Sequence, residues 1–73
     1  MKLTKVQASM AGIVWKVLVK VGEEVTEGQE LIIIESMKME IPIISEEDGV
    51  VRSIFVNEGD FINEGDPLIE VID

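Results

Sequence analysis

The chain matches itself when it is shifted by 37 positions, and this internal repeat constrains the fold more than any other sequence feature. All six glycines pair under the shift: Gly12, Gly22 and Gly28 fall on Gly49, Gly59 and Gly65. Aliphatic residues pair as well, including Leu31 with Leu68 and Ile32 with Ile69. Glycines and aliphatic residues in one register are a strong repeat signal. The sequence therefore predicts two copies of one unit, at about 10–35 and 47–72, related by an approximate two-fold axis.

β-Branched residues dominate the composition, with eleven Ile and ten Val against four Leu and two Ala. Such side chains are stiff and pack well on a pleated surface. An aliphatic core spread over short strands with glycine turns is typical of a small barrel or sandwich. A chain of 73 residues is one domain. We therefore expect a single all-β domain over 1–73, in which two quasi-symmetric halves share one core.

The repeat allows the strands to be placed in both copies. We expect strands at 16–21 and 51–56, turns at the glycines that follow, and central strands at 31–35 and 68–72. Pro42 lacks a backbone donor, so 40–45 is expected to be an edge strand or a strand interrupted at that residue. Each glycine is expected to mark a positive φ or a tight turn. Because Trp15 aligns with Arg52 across the repeat, we expect it to be partly buried outside the core.

Two residue types are missing, and their absence excludes several kinds of chemistry. Without His, imidazole acid–base catalysis and His-ligated metals are excluded, and without Cys, disulfides and thiolate metal sites are excluded. The net charge of −9 argues against nucleic acid as a partner. No aliphatic run approaches the length that crosses a membrane, so no membrane partner is expected and the expected compartment is the cytoplasm.

The segment ESMKME, residues 35–40, joins the two copies. Because strands are expected on both sides, residues 36–39 are predicted to form a hairpin turn with Lys38 at a protruding tip. Two Met beside a Lys are unusual at a tip, since exposed apolar pairs normally mark a contact surface. The amine of Lys38 is a candidate for acylation, for which a partner enzyme must supply the base. From the residues alone, a solvated turn lysine between two packing Met side chains remains the alternative.

This segment resembles the biotin-attachment motif of the biotinyl/lipoyl carrier domains, whose usual pattern is Glu-Ala-Met-Lys-Met with the Lys acylated. The glycine-centred stretches at 22–31 and 59–68 match the rest of the family pattern, and the resemblance covers about 6–72. Ser36 replaces the usual Ala, and two prolines common in relatives are missing at Ser9 and Ala11. The small size resembles that of the stand-alone biotin/lipoyl attachment proteins rather than that of a domain cut from a carboxylase, and the sequence also resembles biotin carboxyl carrier proteins.

The resemblance implies an all-β, flattened barrel–sandwich hybrid of the hammerhead type, made of two quasi-symmetric four-stranded halves, with Lys38 on a hairpin tip. It implies that a biotin protein ligase joins biotin to Lys38 and recognises Met37 and Met39, while Glu35, Ser36 and Glu40 flank the turn. The implied partners are a biotin carboxylase and a carboxyltransferase. The chain would carry carboxyl groups between them as a non-catalytic subunit, and we expect a monomer in isolation.

Lipoate, attached by a lipoyl ligase, is the alternative cofactor, because lipoyl domains share this fold. Their lysine typically follows Asp, so Met37 and Met39 favour biotin. An unmodified assembly module and an enzyme that relies on carboxylates alone are further alternatives. The acidic run at 46–48 could bind a cation, although such runs are more often solvated loops.

Overall fold

A computed structural model describes all 73 residues, and eight β-strands form the fold without any helix. The strands are β1 (Leu3–Gln7), β2 (Gly12–Val17), β3 (Glu24–Val25), β4 (Glu30–Ser36), β5 (Met39–Ile44), β6 (Gly49–Ile54), β7 (Phe61–Ile62) and β8 (Pro67–Ile72). They form two four-stranded sheets, which we call the terminal sheet (β1-β8-β6-β3) and the hairpin sheet (β5-β4-β2-β7). All strand pairs are antiparallel, and the predicted all-β architecture is confirmed. The chain forms no helix that could cross a membrane.

The two copies of the repeat are interleaved rather than placed side by side. Strands β1–β4 correspond to β5–β8 at the same shift of 37 positions that relates the sequences. Each sheet takes two strands from each copy, so the repeat operation exchanges the two sheets. Because neither copy contains a complete sheet, each half depends on the other for its hydrogen bonds and for its core.

The core between the sheets is one aliphatic cluster of thirteen buried residues. Equivalent residues of the two copies recur in it: Leu31 with Leu68 and Ile32 with Ile69 have no exposed surface. Burying a side chain of this size stabilises the fold by about 1.5–3 kcal/mol. Trp15 is 42% exposed and lies outside the cluster, as predicted.

Four β-turns of one design connect the strands. Each has a glycine at its third position, with φ between 87° and 96°, which an L side chain rarely adopts. In the first turn the Glu23 amide donates to the Lys20 carbonyl at 3.0 Å, and the Lys20 amide donates to the Glu23 carboxylate at 3.1 Å. The other three turns, which begin at Thr26, Asn57 and Asn63, repeat both hydrogen bonds.

Two expectations from the sequence are wrong in detail. The strand predicted at 16–21 is Gly12–Val17, and the one predicted at 51–56 is Gly49–Ile54, because the chain after each strand already leads into a β-turn. Gly12 and Gly49 do not have positive φ. They lie where two strands approach closely: a Cβ on Gly12 would lie 2.6 Å from the carbonyl oxygen of Glu35.

Candidate functional site

The β4–β5 hairpin ends in a two-residue turn formed by Met37 and Lys38. Ser36 pairs with Met39 across the turn, and φ is 52° at Met37 and 66° at Lys38. Positive φ at both central residues is characteristic of a type I′ turn, whose twist matches that of the flanking strands. The predicted hairpin with Lys38 at its tip is confirmed.

Neither turn residue is a glycine, so the turn is held against the local preference of its own side chains. The left-handed conformation costs an L-residue about 1–2 kcal/mol, and type I′ turns normally use Asn-Gly for that reason. Six cross-strand pairs between β4 and β5 impose the geometry from outside the turn. Strain of this kind persists where the side chains have a role that turn stability alone does not explain.

The side chains at the tip project into solvent. Met37 is 91% exposed and Met39 is 64% exposed, so the interpretation of the two Met as packing residues is wrong. Lys38 is exposed as well, and the single salt bridge of the chain joins Lys2 to Glu47. The Lys38 ammonium therefore has no partner within the chain and is accessible to another protein.

Two carboxylates lie directly behind the tip. Glu35 and Glu40 face each other across β4 and β5, and both are exposed. Like charges directly opposite each other on a sheet are destabilising. Strand β5, which contains Pro42, lies at the edge of the hairpin sheet as predicted. The hairpin thus presents one cation between two thioethers, with an acidic pair behind them.

The acidic run at 46–48 does not converge on one point. Glu47 binds Lys2 at 2.5 Å and Thr4 at 3.1 Å, whereas Asp48 accepts the Glu27 amide at 2.8 Å. No cluster of three His, Cys, Asp or Glu residues in the chain could hold a metal ion. An open groove of about 350 Å³ lies beside this run, between strands β1 and β5, and its lining contains no His or Cys.

A profile of the biotin/lipoyl family, described as "Biotin-requiring enzyme", matches residues 1–71. The chain is 53% identical over 66 residues to the biotin/lipoyl attachment protein of Bacillus subtilis, and the match covers 90% of each chain. It is 47% identical over 64 residues to the biotin carboxyl carrier protein of Streptococcus mutans, covering 88% of this chain and 49% of that one. The urea carboxylase of Kluyveromyces lactis contains the same fold, with a TM-score of 0.92 at 29% identity, over 99% of this chain and 6% of that chain.

Two interleaved four-stranded sheets that present an exposed lysine hairpin define a small barrel–sandwich module. The chain belongs to the biotin/lipoyl family.

Proposed function

We propose that this chain is a carrier protein whose Lys38 is covalently biotinylated. The observation that carries the proposal is the strained turn at Met37 and Lys38, which presents an unpaired amine between two exposed Met side chains. Membership of a family described as biotin-requiring supports biotin as the cofactor. Relatives named as carboxyl carrier proteins and carboxylases support a role in carrying carboxyl groups between a biotin carboxylase and a carboxyltransferase.

The chain itself supplies a nucleophile and a rigid support. The Lys38 ammonium would lose one proton to a base of the ligase, its amine would attack the activated carboxyl carbon of biotin, and the nitrogen would lose a second proton as the activating group leaves and the amide forms. Once attached, biotin supplies a ureido nitrogen that takes up and releases a carboxyl group. The β4–β5 hairpin fixes the base of the arm while the lysine side chain remains mobile in solvent. Tethering raises the effective concentration of the reactive group at each partner site.

The residues around Lys38 have separate roles in this proposal. Met37 and Met39 contact the ligase, since both offer flexible apolar surface at the tip. Ser36 closes the turn by pairing with Met39, and Glu35 and Glu40 present negative charge behind it. The two Met also favour biotin over lipoate, which stays the alternative cofactor. We place the carrier, over 1–73, in the cytoplasm as a monomer.

Replacement of Lys38 tests the attachment site. The Lys38→Arg variant should fold as the unmodified chain does, because the side chain is exposed and unpaired, but should take up no biotin. Lys16→Arg is the matched control, since Lys16 is also exposed. Each protein is co-expressed with a biotin protein ligase and probed with streptavidin. Streptavidin binding by Lys38→Arg protein would overturn the assignment.

Replacement of the two Met side chains tests their proposed contact with the ligase. The two Met side chains are 91% and 64% exposed. The Met37→Ala, Met39→Ala double variant should therefore have a free energy of unfolding within about 0.5 kcal/mol of that of the parent chain. Biotin uptake should slow about tenfold, as expected when roughly 1.4 kcal/mol of contact energy is lost. Urea unfolding and initial rates of biotinylation measure the two effects. A large loss of stability at an unchanged rate would contradict the proposed contact.

A further inference from the structure

We infer that the outer face of the hairpin sheet carries a docking surface, centred on Phe61 and Ile13, for the enzyme that acylates Lys38. This inference deepens the proposed function and rests on it. The partner surface must combine an apolar patch with Lys or Arg side chains at its margin.

A single row of side chains crosses the hairpin sheet and reaches the hairpin. Ile13 lies opposite Phe61 on one side and opposite Glu35 on the other, and Glu35 lies opposite Glu40. Directly paired residues project from the same face of a sheet. Ile13 is exposed between two buried neighbours in β2, so this face is the outer one. The row formed by Phe61, Ile13, Glu35 and Glu40 therefore ends at the base of the Lys38 turn.

The hairpin sheet exposes much more apolar surface than its counterpart. Among strand residues, five large hydrophobic side chains that are at least 36% exposed lie on the hairpin sheet and one lies on the terminal sheet. The five are Ile13, Trp15, Met39, Ile44 and Phe61, and the one is Leu3. Phe61 alone is 64% exposed. Ile13, Trp15, Ile44 and Phe61 lie on the outer face, whereas Met39, which is adjacent to Glu40 in β5, lies on the other face at the hairpin tip. Large apolar side chains clustered on one face mark an interaction site rather than random surface composition.

Equivalent positions in the two copies show which side chains the fold requires. At the shift of 37 positions, Phe61 is equivalent to Glu24, Ile13 to Val50 and Trp15 to Arg52. Glu24 pairs with Val50 in the same way that Phe61 pairs with Ile13. The backbone position therefore accepts a carboxylate, and the exposed aromatic ring at Phe61 is not required for folding.

The position of the row indicates what covers it. A specific interface takes about 800 Å² from each partner, which corresponds to a disc of roughly 16 Å radius. Glu35, which pairs with Ile13, precedes Lys38 by three residues, or about 10 Å along an extended strand. Ile13 and Phe61 lie one and two strand spacings of about 4.8 Å beyond Glu35, so Phe61 is about 14 Å from Lys38 and an interface centred on Lys38 can reach both residues.

Charge distinguishes such an enzyme from a second copy of this chain. Two copies packed through this face would bring two chains of net charge −9 together, with their Glu35–Glu40 pairs at the contact. Such self-repulsion opposes association. A partner with basic side chains beside its apolar patch complements both the acidic pair and the aromatic ring, and electrostatic attraction would speed the encounter.

A matched pair of variants tests the docking surface. Phe61→Glu and Leu3→Glu each replace an exposed apolar residue with the residue that the other copy carries at the equivalent position, Glu24 and Glu40. Each change adds one negative charge. With a purified biotin protein ligase, Phe61→Glu should lower kcat/KM for biotinylation about tenfold through KM, which corresponds to about 1.4 kcal/mol. Leu3→Glu should leave kcat/KM within about twofold, and both should keep the parent unfolding midpoint.

Other results of this experiment would contradict either the docking surface, its proposed occupant or the proposed function. A kcat/KM of Phe61→Glu equal to that of the parent chain would exclude this face as the docking surface. An equal loss of kcat/KM in both variants would exclude it as well. Sedimentation that shows a dimer broken by Phe61→Glu, at an unchanged biotinylation rate, would assign the face to a second copy. Failure of the parent chain itself to take up biotin would instead overturn the proposed function. If Phe61→Glu does not fold, Phe61→Ala gives the same comparison without a new charge.

Discussion

At the scale of single residues, Lys38 differs from the other four lysines in its backbone conformation, since it alone among them has a positive φ. Lys2 is bound to Glu47, and Lys16 lies 5.4 Å from the centroid of the Trp15 ring. Lys38 has no such contact and lies on a turn that its own backbone preference disfavours. The sequence could predict this position because the motif is contiguous and falls between two strands. It could not predict the strain, which depends on the register of β4 and β5.

The strain at the tip makes a stability prediction. Met37→Asn should raise the free energy of unfolding by about 0.5–1 kcal/mol, because Asn tolerates positive φ better than Met. Urea unfolding measures the change. Met39→Asn is the control, since Met39 lies in β5, has no positive φ and should not gain stability. A destabilised Met37→Asn protein would show that the Met37 side chain contributes packing energy after all.

At the scale of strands, the close contact between β2 and β4 holds the hairpin in place. Gly12 allows this approach because it has no Cβ, which would meet the Glu35 carbonyl oxygen at 2.6 Å and an Ile34 methyl group at 2.7 Å. The sequence could predict that glycine is needed at this position, but not why. A turn and a close approach select the same residue type, and only the three-dimensional pairing separates them. The alternation of Val and Lys after residue 15 does not determine where β2 ends, because it continues from the end of β2 into a β-turn.

Gly12→Ala should lower the free energy of unfolding by about 1–3 kcal/mol, since the backbone of β4 must move to admit the methyl group. Gly49→Ala is the matched control: its Cβ would meet the Ile72 carbonyl oxygen at 2.7 Å, on the terminal sheet. Both variants should lose similar stability in urea unfolding, but only Gly12→Ala should also slow biotinylation of Lys38. An unchanged unfolding midpoint in Gly12→Ala would contradict the close-approach argument.

At the scale of the whole molecule, the repeat explains how a short chain without disulfides forms a complete core. Each sheet contains two strands from each copy, so the apolar residues of both copies pack in one cluster. The 37-residue shift, read from the glycines, predicts this architecture well. What the sequence could not reveal is the difference between the two outer faces. The alignment of the two copies pairs Phe61 with Glu24. A role for Phe61 in docking becomes visible only when Phe61 is located on the sheet that contains the β4–β5 hairpin.

A salt bridge joins Lys2, which precedes β1, to Glu47 in the loop between β5 and β6. This pair predicts that the free energy of unfolding depends on pH. The hydrogen bond from Lys2, and then the one from Thr4, lowers the pKa of Glu47 below its ordinary value of 4.5. The hydrogen bond to Glu47 raises the pKa of Lys2 above its ordinary value of 10.5. The contribution to stability is therefore complete between these two ordinary values. It is lost as pH falls through the lowered pKa of Glu47 or rises through the raised pKa of Lys2.

Urea unfolding of the parent chain and of Glu47→Gln across pH measures this contribution by difference. The difference between the two should be constant from about pH 5 to 10 and should shrink on acidification below the ordinary carboxyl pKa of 4.5. Glu46→Gln, which removes an exposed neighbouring carboxylate, should show no such dependence. The same pH profile in both variants would indicate general charge repulsion rather than the Lys2–Glu47 pair.

Intact-mass spectrometry with peptide mapping, carried out on protein from its native host, determines whether Lys38 carries biotin. We expect one added biotinyl group, located on the peptide that contains Lys38. The mass of a lipoyl group, a biotinyl group on another lysine, or an unmodified Lys38 in host cells supplied with biotin would contradict this expectation.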